Sequence, residues 1–77
     1  MVRRKKFRDL VKILRDHDKR FEFLLERGKA SEVLLVHPDI AGRRQCFPVT
    51  HHAGHDIGQG MLKAIIRRFN LPEDIFS

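Results

Sequence analysis

The residues best suited to chemistry lie in two short stretches. One is His51-His52-Ala53-Gly54-His55-Asp56, the densest run of titratable groups in the chain. The other is Lys29-Ala30-Ser31-Glu32, where a cation, a hydroxyl and a carboxylate sit close together. Histidine titrates near neutral pH, so it can act as general acid or general base. A glutamate can act as a base where burial raises its pKa, and a neighbouring lysine can hold a phosphate. Each group also has a plainer reading. Glu32 can be a solvated carboxylate at a strand start, facing Lys29 or Arg27. The histidines can be loop residues making capping or surface hydrogen bonds.

The histidines and Asp56 are metal ligands by type, but they match no known ligand spacing, so neither a metal site nor a cofactor is expected. Cys46 is the single cysteine, which excludes an internal disulfide framework and a four-cysteine zinc module. It reads as a small buried apolar group. His17 and His37 read as structural.

The chain has 77 residues, enough for one domain, and 42% of them are apolar, an ordinary globular share. Lysine and arginine total 16 against 10 acidic residues, a net charge of +6. The isoelectric point is near 10.3, within the range of nucleic-acid binders. Such a field attracts polyanions. Arg43, Arg44, Lys63 and Arg67, together with Lys29, are the candidate phosphate contacts. No stretch approaches the roughly 20 apolar residues of a membrane helix. Charges interrupt Phe7 to Leu14, so the basic N-terminus does not open a signal peptide. A soluble cytoplasmic protein is expected, without membrane contact.

These residues need elements to position them. Phe7, Leu10, Val11 and Leu14 recur at helical spacing and predict a helix over 5–17. Residues 20–27 change to period two, with Phe21, Phe23 and Leu25 on one face, which predicts a strand. Gly28-Lys29-Ala30 supplies a turn. Val33-Leu34-Leu35-Val36 is apolar on both faces and predicts a central strand over 31–37. Pro38 to Gly42 reads as a loop. A third strand over 44–50 contains Pro48, which cannot donate to a ladder and belongs at an edge. Residues 51–58 read as loop. Met61, Leu62, Ile65, Ile66 and Phe69 form a second helical stripe, ended by Asn70 and Pro72. Ile75 and Phe76 should tuck a final turn onto the core. The expectation is an α+β fold in the order α-β-β-β-α, a three-stranded antiparallel sheet with both helices on one face. The other sheet face is left to solvent or a partner.

Several segments in this order carry a family resemblance. They are Phe7-Arg8-Asp9-Leu10-Val11-Lys12-Ile13-Leu14, Arg27-Gly28-Lys29-Ala30-Ser31-Glu32 and His37-Pro38-Asp39. Further along come Phe47-Pro48-Val49, His52, and Gly60 to Phe69. Together, over nearly the whole of residues 1–77, they resemble the HicA family of toxin–antitoxin ribonucleases. The resemblance implies a fold like the double-stranded-RNA-binding domain. It also implies metal-independent cleavage of mRNA, and neutralisation by a HicB-type antitoxin. A weak homodimer belongs to the same expectation.

The family pattern at the turn into the second strand is Gly-Ser-His, with the histidine catalytic. Here Ala30 stands for the glycine and Glu32 for the histidine. Metal-free RNA cleavage needs a base for the 2′-hydroxyl, an acid for the leaving oxygen and cations for the charge on phosphorus. With the resemblance, Glu32 and His52 become the catalytic candidates; Lys29, Ser31, Arg43, Arg44, Lys63 and Arg67 are the expected RNA contacts. The alternative is a catalytically degenerate HicA-like module that binds RNA without cutting it.

Overall fold

The computed structural model describes residues 2–25, 32–50 and 56–77. Their elements run α1 (Phe7–His17), β1 (Glu22–Leu25), β2 (Glu32–Ile40), β3 (Arg43–Thr50) and α2 (Gln59–Arg68). The expected α-β-β-β-α layout is present. The strands form one antiparallel sheet in the order β1-β2-β3, so β2 is central and Pro48 lies on an edge strand.

The helical stripes and the period-two pattern meet in one core. Leu10 and Leu14 of α1 and Leu62 and Ile65 of α2 are fully buried. They pack in the same cluster as Phe21, Leu35 and Val49 from one face of the sheet and its approach. Both helices therefore cover that face. Burying such side chains contributes roughly 1.5–3 kcal/mol each. Phe76 is fully buried, so the final turn closes the core as expected. Across the other face run the rows Glu22–Val36–Cys46 and Leu24–Leu34–Pro48. Leu24 is 44% exposed there. Cys46 is also exposed, which corrects its expected burial. The alternation along β3 turns Phe47 and Val49 toward the helices and leaves Cys46 pointing away.

Several boundaries differ from expectation. Helix α1 starts at Phe7 rather than residue 5. Lys5 instead forms an antiparallel bridge with Ile57, its carbonyl accepting the Ile57 N–H at 2.7 Å. The Arg3 N–H donates to the Phe76 carbonyl at 2.9 Å. The N-terminal residues are thus a strap across the start of α2 and the C-terminal turn.

Second, β2 continues through Pro38 to Ile40, where a loop was expected. A register shift between His37 and Ile40 accommodates Pro38 within a central strand, because a proline needs no ladder partner at such an irregularity. The connection shrinks to Ala41 and Gly42, with φ of 53° and 85°. Positive φ at both positions marks the tight hairpin turn whose twist matches its strands. Arg43 then enters β3 one residue earlier than expected.

Third, β1 starts at Glu22, two residues later than expected, whereas α2 begins at Gln59, where the expected loop ends. Its end follows the sequence closely. Asn70 has φ of 52°, and the Leu71 N–H donates to the Ile66 carbonyl at 2.9 Å, the pattern of a Schellman cap. No described helix is long and apolar enough to cross a membrane.

Candidate functional site

Of the sequence-predicted site residues, Lys29, Ser31 and His52 lie outside the described residues, as do His51 and His55. Glu32, Arg43, Arg44, Lys63 and Arg67 are described. Glu32 is half-buried at the first position of β2, and its Cα partner across the ladder is Thr50. The chain therefore enters β2 and leaves β3 side by side. Thr50 is the residue that precedes the histidine-rich stretch in the sequence.

The arginines of the hairpin are elsewhere. Arg43 pairs with Ile40, at the far end of β2 from Glu32. Eight residue-to-residue steps along the strand take Glu32 to Ile40, about 26 Å at the usual rise per residue. The molecule's longest extent is 33 Å, so the two ends of β2 lie nearly a molecule apart. Arg43 and Arg44 are exposed there and cannot share one reacting phosphate with Glu32.

Lys63 and Arg67 are exposed one turn apart on α2. They line an open groove of about 630 Å³. Its apolar lining is Val2 of the strap and Ile66 of α2. Gln59 holds the strap in place, its Nε2 donating to the Val2 carbonyl at 2.9 Å. Glu73 and Asp74 of the C-terminal turn line the same groove. Arg67 also borders a second depression on the β3 side, with Gln45, Phe47 and Arg68. There the Arg68 guanidinium lies 5.9 Å from the Phe47 ring centre, a cation–π contact that fixes its direction.

Residue patterns had not marked a third polar cluster, around His37. This side chain is 1% exposed, the one buried polar residue among those described. Its Nδ1 accepts the Asp39 N–H at 3.1 Å, so the proton sits on Nε2, which donates to Asp18 Oδ2 at 2.8 Å. The Asp18 carboxylate also accepts from the Arg20 backbone N–H at 2.9 Å, from Arg20 Nε at 3.2 Å and from Nη2 at 3.1 Å. These bonds, those of Arg20 foremost and then that of His37, hold Asp18 well below the usual carboxylate range. The same pairing raises the Arg20 pKa. The His37 ring packs edge-on against Phe21 at 4.8 Å, and Phe21 packs against Phe69 at 5.2 Å. Both ring nitrogens are engaged within the protein, so His37 has no nitrogen to offer a substrate. It ties the end of α1 to β2, in keeping with the structural role expected of it. Asp18 and His37 are 19 positions apart, too far for local periodicity to connect.

Compared with family models, curated proteins and solved structures, the chain has no match.

Proposed function

We propose that this protein binds RNA and acts as a HicA-type mRNA interferase, a cytoplasmic toxin held in check by a HicB-type antitoxin. The observation that carries the reading is the pairing of Glu32 with Thr50. It sets a carboxylate beside the point where the chain enters the histidine-rich segment. In this reading Glu32 takes the 2′-hydroxyl proton and His52 protonates the leaving oxygen. Lys29 and Ser31 hold the phosphate, while Lys63 and Arg67, with Arg43 and Arg44 farther off, bind the RNA backbone. Weak self-association belongs to the same reading.

The second reading is an RNA-binding module that no longer cuts. It is favoured by the glutamate at the family's histidine position, and by a buried His37 that cannot replace it. Incubation of purified protein with a structured mRNA in EDTA separates the two. Cleavage by the wild type, lost in Glu32→Ala or His52→Ala, is the expected result. Full cleavage by both folded variants removes this site. Binding without cleavage by clean wild-type protein selects the second reading.

A further inference from the structure

Resting on the RNA reading, we infer that the groove between α2 and the C-terminal turn is a pocket for one unpaired nucleotide, with a preference for guanine. The groove combines three kinds of lining. Lys63 and Arg67 supply cations from α2, Val2 and Ile66 supply apolar surface, and Glu73 and Asp74 supply carboxylates from another segment. Among the described residues, no ion pair joins the cations to the carboxylates. Opposite charges that line one groove without a direct ion pair keep their hydrogen-bonding groups available. They suit a ligand that carries both an anion and hydrogen-bond donors.

A nucleotide within an RNA chain is such a ligand. Its phosphate is met by Lys63 and the forked Arg67 guanidinium. Its base covers Ile66, with the buried Val2 behind it. The donors on the base edge then face Glu73 and Asp74. Carboxylates only accept, so they select bases by their N–H groups. Guanine presents two adjacent donors, its ring N1–H and its exocyclic amine, and one carboxylate can accept both. Uracil presents a single ring N–H between two carbonyls, which a carboxylate repels. Unpaired bases read on their edges are the usual route to sequence preference in RNA binding. At about 630 Å³ the groove falls within the size range of small-ligand sites. The Gln59 bond to the Val2 carbonyl, with the Arg3 bond to Phe76, keeps the strap wall in place before binding.

The test is fluorescence anisotropy with two labelled single-stranded RNAs, all-uridine and the same strand with one central guanosine. Wild-type protein should bind the guanosine strand roughly tenfold more tightly, a bidentate base contact being worth 1–3 kcal/mol. Glu73→Ala with Asp74→Ala should abolish that ratio without weakening the all-uridine complex. Lys63→Ala with Arg67→Ala should weaken both complexes and leave the ratio standing. Equal wild-type affinity for the two strands overturns the nucleotide pocket while leaving RNA binding intact. So does a ratio that survives removal of both carboxylates. Failure to bind either strand overturns the RNA reading, and the pocket with it. Circular dichroism of each variant confirms that these exposed substitutions leave the fold in place.

Discussion

The Asp18–His37 cluster and the α2 groove both gather charge around the same small core, and they dispose of it differently. In the cluster, one carboxylate accepts four hydrogen bonds from two residues, and a buried imidazole spends both nitrogens inside the protein. In the groove, cations from α2 and carboxylates from the C-terminal turn line one space without pairing. A polar group already satisfied by the protein contributes to the fold and has little left for a ligand. Charges kept apart contribute little to stability and stay available. A histidine's presence near a carboxylate therefore says less about catalysis than the direction its nitrogens face.

The largest effect should come from cutting the cluster. Asp18→Ala leaves the buried His37 Nε2–H without an acceptor, at a cost of about 1–3 kcal/mol. For a domain this size that is a fall in Tm of roughly 5–20 °C. An unchanged melting curve would mean the cluster is ornamental. A related test is acid. Because folding depresses the Asp18 pKa, its stabilisation is complete above its ordinary pKa and is lost as pH falls below about 4. Denaturant midpoints measured across that range should drop in the wild type and drop less in Asp18→Asn. Equal slopes would remove Asp18 as the source.

A smaller gain is expected at the turn beside the cluster. Ala41 holds φ of 53°, a conformation costly for any residue with a Cβ, and Asp39 Oδ1 accepts the Gly42 N–H at 2.8 Å. Ala41→Gly should raise stability by about 0.5–1 kcal/mol, read from the denaturation midpoint. A loss would show that the added chain entropy outweighs the strain. The smallest effect belongs to the groove. Lys63→Ala with Arg67→Ala should change stability by no more than about 0.5 kcal/mol. A clear loss of stability would make these cations part of the fold and break the contrast with Asp18.

Much of the architecture was legible in local pattern. Leu10 and Leu14, Leu62 and Ile65 announced their buried faces by spacing alone, and Asn70 announced the end of α2. Pro48 announced an edge, because a residue without an N–H cannot donate to a regular ladder on both sides. Pro38 misled for the complementary reason. A proline reads locally as a break, and only a register shift against β3 lets the central strand run through it. Cys46 misled because composition favours burial, whereas strand alternation sets which side a residue faces.

The candidate site was legible only as residue types. The run from Lys29 to Glu32 and the histidines from 51 to 55 could be named, but their relation could not. The sequence by itself determined the element order, the apolar faces and the basic charge, because these follow from composition and from periods of 2 and 3.6. The tertiary structure decided which distant residues meet. It set Glu32 against Thr50, Asp18 against His37, and the strap beside α2. Such pairings depend on strand register and on how segments far apart in the chain close over one core, and neither is encoded in any short stretch of residues.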